Sequence, residues 1–341
     1  MRPSALIAIL ALSIALSAAL VRLERGGRVA ERSFFAMNTL FSLRASGRGA
    51  EGALSAMEEE VRRLEAMLSA RDPSSELSAL SRAAPGPMRV SPELDEVLRA
   101  ALEVANLSEG AFDPTVGVLT ELWGIGTERA RVPEEREIEE ALRLVDRRGL
   151  RRVSEMTWTL GVGQKLDLGG IAKGYCGDRL LAMARSLGLR WALLDLGGNI
   201  VLHGSPGRPW RIGIQHPMRG RGGILGVLEV ESGPMAVVTS GVYERFLEVD
   251  GKVYHHILDP KTGRPAEGKL ASVTVVMPSS TMADALSTAF FVLGPERSRK
   301  LAREMGARTI WVLEDGTTMV DEELVGRFEL TDKSLKVVVL R

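Results

Sequence analysis

The chain has 341 residues, enough to bury a substantial core in one large domain or two modest ones. Lysine plus arginine and aspartate plus glutamate stand at 44 each, so net charge gives no ground for a nucleic-acid partner. The single cysteine, Cys176, excludes an intramolecular disulfide and any multi-cysteine metal or iron–sulfur site.

Ser4 to Val21 follows Arg2 and contains no charged residue. The run is long for the apolar stretch of a signal peptide and at the short limit for a membrane span. A small-x-small step at Ser17-Ala18-Ala19 suits signal peptidase, and the absence of a nearby cysteine excludes lipoprotein anchoring. A buried soluble helix is the bland alternative, weakened by the lack of a polar face. Arg22, Arg25, Arg28 and Arg32 follow the run, so the positive-inside rule does not favour export.

After a polar linker (Glu24 to Arg32), Phe34 to Ala45 reads as a strand. A helix follows with Leu54, Met57, Val61, Leu64 and Leu68 on one face, broken by Asp72-Pro73. Ser91-Pro92-Glu93 is a strong helix start, and that helix stops near Gly110. Another is expected after Pro133, with Ile138, Ala141, Leu142 and Val145 inward. The second half is richer in strands: Trp191 to Leu196, Trp210 to Ile214, Ile224 to Val230, Leu270 to Met277, Arg308 to Leu313 and Leu335 to Leu340. Helices are expected from Met282 to Leu293 and from Pro295 to Met305, and Arg219 to Gly223 reads as a loop. The elements mix rather than alternate, which predicts an α+β fold with mixed sheets flanked by helices.

Five segments carry chemistry. Asp167-Leu-Gly-Gly-Ile-Ala-Lys-Gly174 joins a carboxylate, two side-chain-free positions and Lys173. Adjacent glycines allow close backbone approach and positive φ, so a ligand loop and a tight structural turn both fit. The stretch is neither a Rossmann fingerprint nor a Walker loop. In Ala283-Asp-Ala-Leu-Ser-Thr288, Asp284 and Thr288 lie four apart on one helix face and could form a hard-oxygen half-site of the kind Mg²⁺ uses. The competing reading is an acid on the helix dipole and a threonine bonded to its own turn. His255 and His256 stand side by side near a strand end, so one faces the core and the other the opposite side. Either could be a proton acceptor or a hydrogen-bonded structural residue. Asp259-Pro-Lys-Thr-Gly263 beyond them has turn chemistry. Ala111-Phe112-Asp113-Pro114-Thr115 offers an aromatic face and a carboxylate to a heteroaromatic ring, or a buried Phe with a capping Asp. Thr239-Ser240-Gly241 suits phosphate donors or a plain turn.

In this order, these segments resemble the ApbE family of FAD:protein FMN transferases. The matching stretches are Ala36-Met-Asn-Thr-Leu40, Ser75-Glu-Leu-Ser78, Ala111-Phe-Asp-Pro-Thr-Val-Gly117 with Leu122-Trp-Gly124, and Asp167 to Gly174. They continue with Leu196-Gly-Gly-Asn199, Thr239-Ser-Gly241, His256-Ile-Leu-Asp-Pro260 with Thr262-Gly263, and Ala283 to Thr288. The resemblance implies an extracytoplasmic, Mg²⁺-dependent enzyme that cleaves FAD and moves its FMN half to a Thr or Ser of a target protein, releasing AMP. The implied acceptor is a flavoprotein subunit of a membrane redox complex. By position, Met37, Ala111, Phe112, Asp113, Asp167, Lys173 and Ile257 match FAD contacts; Gly170, Asp284 and Thr288 match metal ligands; His256 matches the catalytic histidine, with Asp284 acting beside it. Arg71 departs from the aromatic that the family often carries before its Asp-Pro step. On this resemblance, residues 1–24 are an export signal or membrane anchor, 25–32 a linker and 33–341 one catalytic domain. A FAD pyrophosphatase using water, and an exported flavin carrier without turnover, are the alternatives.

Overall fold

The structure, a computed structural model, describes residues 29–219, 222–332 and 335–340. The expected signal or anchor lies outside the described residues, as do the first part of the linker and two residues of the Arg219 to Gly223 loop.

A nine-stranded sheet runs through the molecule, and its spatial order follows the chain: Val29–Ala36, Thr39–Ser46, Trp191–Asp195, Asn199–Gly204, Met235–Gly241, Leu270–Met277, Arg308–Leu313, Thr318–Asp321, Val337–Leu340. Neighbours are antiparallel except the last two, which are parallel. The fold is α+β with mixed sheets, as the element pattern predicts.

The single strand expected from Phe34 to Ala45 is instead a hairpin. Ala36 pairs with Thr39 across a two-residue turn in which Met37 and Asn38 have φ of 46° and 61°. Two left-handed residues give a turn whose twist matches the flanking strands. Without glycine at either position, Asn38 is the turn's one weak mark in the residue pattern. The first strand also starts at Val29, so the linker expected to reach Arg32 ends earlier.

Both faces of the sheet are covered. Helices Ala50–Leu68, Pro92–Leu107, Ala172–Ser186 and Ser280–Glu304 pack on one face around Phe41, Leu43, Met57, Val238, Val275 and Phe290. A three-stranded sheet of Trp210–Gln215, Ile224–Val230 and Phe328–Leu330 lies against the other, where Ile212 and Leu228 meet Leu202, Val237, Val276 and Ile310. Adjacent residues Val275 and Val276 thus enter opposite cores, which is why the whole Leu270–Met277 strand is buried. The Ser91 cap holds, its hydroxyl accepting from Leu94 N at 3.3 Å. A short helix, Glu76–Ala83, was not anticipated; Ser75 caps it. The last long helix breaks at Gly294 (φ 76°, ψ 169°) just before Pro295, dividing it where two helices are expected.

Antiparallel pairing brings three connections to one end of the sheet: the Met37–Asn38 turn, the Leu196–Gly198 turn and the excursion of residues 242–269. A third apolar cluster of Leu119, Trp123, Ile125, Ile138 and Leu258 supports that excursion. Trp123 Nε1 donates to Gly263 O at 2.8 Å and fixes the turn beyond Asp259.

Candidate active site

Two helices meet edge to edge and create the acidic centre. Gly174 and Gly177, one turn apart, face the start of the Ser280–Glu304 helix. A methyl group at Gly174 would stand 2.3 Å from Ser280 O and 2.6 Å from Asp284 Cβ. Only at this separation does the Gly174 amide reach Asp284 Oδ2, at 2.8 Å. The other oxygen, Oδ1, lies 3.7 Å from Lys173 Nζ, whose ammonium is also 3.5 Å from Asn199 Oδ1. Asp284 is buried, and this ammonium and amide offset its charge. The amide nitrogen of Asn199, buried beside them, has no hydrogen-bond partner among the described residues.

One turn along the helix, Thr288 faces the Gly169-Gly170 segment. A methyl at Gly170 would sit 3.0 Å from Thr288 Oγ1 and 3.2 Å from Phe112 Cε2. Of the two freedoms this glycine pair allows, positive φ is not used, since neither residue has it; Gly170 serves by close approach alone. Ser287 turns away, donating to Asp284 O and meeting Ser240 Oγ, both at 2.8 Å.

Asp167 anchors the preceding loop. Its Oδ1 accepts from Gly169 N at 2.7 Å and its Oδ2 from Thr120 Oγ1 at 2.7 Å. Neighbouring Phe112 and Ala111 are buried. Asp113, also buried, accepts from Thr115 N and Oγ1 and from Arg147 N at 2.7–3.1 Å, and burial raises its pKa. Its carboxylate thus organises its own loop. Met37, in the left-handed hairpin turn, donates its amide to Glu65 Oε1 at 2.6 Å. No hydrogen bond among the described residues joins Met37 or Asp113 to the Asp284 centre.

The two histidines divide as alternation predicts. His255 is buried, edge-on to Phe291 with ring centroids 5.4 Å apart, its Nε2 3.1 Å from Ala266 O. His256 points the other way, half-buried, with Nδ1 3.2 Å from Arg245 O. A carbonyl only accepts, so Nδ1 carries the proton and Nε2 keeps a free lone pair. Burial, seconded by the Arg245 guanidinium, pulls the His256 pKa down to about 3. The ring is therefore neutral, the form a proton acceptor needs. Ile257 beside it is buried in the main core.

Thr239-Ser240-Gly241, read as a turn or a phosphate loop, is the end of a central strand. Thr239 Oγ1 lies 2.8 Å from Thr274 Oγ1, so both its hydroxyl and that of Ser240 have partners inside the fold. Asp259 does organise its turn, accepting from Lys261 N at 2.8 Å. Arg245 and Glu65 went unrecognised. The signal for Arg245 was present: Asp250-Gly251 is a hairpin turn (φ 53° and 75°) that pairs Phe246 with His255 and so sets Arg245 across from His256.

The constellation can hold a hard cation. Asp284 Oδ1 and Thr288 Oγ1 make no hydrogen bond among the described residues, and the Gly170 backbone abuts that hydroxyl. No cluster of three His, Cys, Asp or Glu occurs among the described residues. Such a one-carboxylate oxygen set suits Mg²⁺, which keeps several waters and substrate oxygens, and does not suit a soft metal.

Comparison with known proteins agrees with this arrangement. The model of the ApbE family matches residues 37–311. The FAD:protein FMN transferase of Treponema pallidum is 37% identical over 334 residues, covering 90% of this chain and 92% of its own length. The crystal structure of the ApbE protein of Thermotoga maritima superposes with a TM-score of 0.82 at 36% identity, covering 88% of this chain and 99% of that one. The apo flavinyl transferase ApbE of Pseudomonas stutzeri gives 0.74 at 30% identity, over 84% and 92%.

Proposed function

Because the chain belongs to the ApbE family, we propose that it transfers the FMN half of FAD to a Thr or Ser hydroxyl of a protein acceptor and releases AMP. The observation that carries this reading is a neutral His256, its Nε2 free, that feels the charge of Lys173, the cation held against Asp284 on the buried helix that also carries Thr288.

The acceptor hydroxyl oxygen forms a bond to the flavin-side phosphorus, the bond from that phosphorus to the bridging oxygen breaks, and AMP leaves with the electron pair. His256 Nε2 takes the hydroxyl proton, while the Arg245 carbonyl holds the ring in the required tautomer. Lys173 places a cation next to Asp284 for the diphosphate. Phe112, beside Gly170, offers an aromatic edge to the flavin or adenine. Asp284, Thr288 and the Gly170 carbonyl would hold Mg²⁺, which when bound offsets charge on the diphosphate oxygens. The acceptor is a flavoprotein subunit of a membrane redox complex, and the apolar run from Ser4 to Val21, read as an export signal or membrane anchor, supports a reaction outside the cytoplasm.

The test incubates the protein with FAD, Mg²⁺ and a candidate acceptor. A mass increase of one FMN on an acceptor Thr or Ser, matched by AMP, is expected. Free FMN with an unmodified acceptor would make water the nucleophile and overturn the assignment.

A further inference from the structure

Arg245 is a half-buried cation with no hydrogen-bond or ion-pair partner for its guanidinium among the described residues. Its backbone is well determined by the hairpin: the Arg245 carbonyl accepts from His256 N at 3.1 Å as well as from the imidazole. Its stem lies against Gly126, where a methyl would stand 3.1 Å from Arg245 Cδ. The stem is thus packed along that backbone and the residue is half-buried. Burial lowers its pKa, and Arg71 pushes the same way. Asp167 is the chief attractive charge nearby, but both Asp167 oxygens already accept hydrogen bonds from Gly169 and Thr120. Arg71 makes one long contact, 3.5 Å to Ile125 O.

A guanidinium presents five donors, and withdrawing them from water without partners is unfavourable. Two guanidinium groups held near one another are stable when an anion lies between them. The planar fork also matches phosphate oxygens in bidentate fashion. We propose that Arg245, assisted by Arg71, forms an anion subsite next to His256 that takes a phosphate ester or diphosphate, here a nonbridging oxygen of the FAD diphosphate. The identification of that ligand rests on the transferase reading; the anion subsite itself does not. Arg71 then replaces the family's aromatic with a charge that contacts the phosphate side of the ligand.

Calorimetric titration of the full chain separates these points, using FAD, ADP, inorganic pyrophosphate and riboflavin as probes. For Arg245→Gln, binding of FAD, ADP and pyrophosphate weakens at least about tenfold, about the worth of one charge-assisted hydrogen bond. Riboflavin binding stays unchanged, and Arg245→Lys recovers part of the loss. Arg71→Gln shows the same pattern at smaller size. Unchanged pyrophosphate and ADP affinity in Arg245→Gln overturns the subsite. Parallel loss of riboflavin in both Arg245 variants overturns it too, because that marks a structural role. If no acceptor is ever modified but pyrophosphate binding still depends on Arg245, the subsite stands and the transferase reading falls.

Discussion

The amide of Gly174 donates to Asp284 Oδ2 at 2.8 Å, across 110 positions of sequence. This bond aims the carboxylate so that its second oxygen meets Lys173, and it exists only because Gly174 lacks a side chain.

Gly174→Ala is therefore expected to force the two helices apart. The added methyl meets backbone, which cannot rotate away, and overpacking of this kind destabilises by about 1–3 kcal/mol. Thermal unfolding should show a lower midpoint, and FMN transfer should fall further than stability alone explains.

Asp284→Asn retains the shape and removes the charge. Transfer is expected to drop at least about a hundredfold while circular dichroism stays like that of wild type. Mg²⁺ titration of the FAD complex should lose its saturable response. Full Mg²⁺-dependent turnover in this variant would remove the metal assignment.

His256→Ala should reduce transfer by about 10²–10⁴-fold, the range for one positioned base, with FAD affinity little changed. The imidazole also governs acid stability. Its folded pKa of about 3 lies below the ordinary 6.5, so the unfolded chain binds a proton that the folded chain resists. Its contribution is fully present above about 6.5 and is lost as pH falls towards about 3. Denaturant midpoints measured across that window should fall less steeply for His256→Asn than for wild type.

Trp123→Phe removes the donor to Gly263 O and leaves a buried carbonyl unmatched. A loss of about 1–3 kcal/mol is expected from urea titration. Because the bond supports the turn beyond His256, KM for FAD should rise more than kcat falls.

Much of the site was legible in the residues. The Asp284–Thr288 spacing on one helix and the opposite facing of His255 and His256 follow from helix and strand periodicity, and close approach at Gly170 is one of the two readings its missing side chain allows. What escaped depends on distant partners. Asp113 read equally as a ligand group or a capping acid; its oxygens meet Thr115 and the Arg147 amide, partners set by tertiary packing. Thr239 and Ser240 had the composition of a turn but lie in a central strand, where cross-strand hydroxyls satisfy them. The Met37–Asn38 turn uses neither Gly nor Pro, and Asn38 alone is a weak sign of its reversal. Arg245 was within reach through the Asp250-Gly251 turn, a hairpin mark whose register sets it opposite His256.

The contacts that build this centre span long stretches of chain: 110 residues from Gly174 to Asp284, and 140 from Trp123 to Gly263. No fragment or half-folded species can assemble it. A dinucleotide that binds here recognises only the finished molecule, so its presence raises the melting temperature of the whole domain and makes flavin occupancy a readout of complete folding.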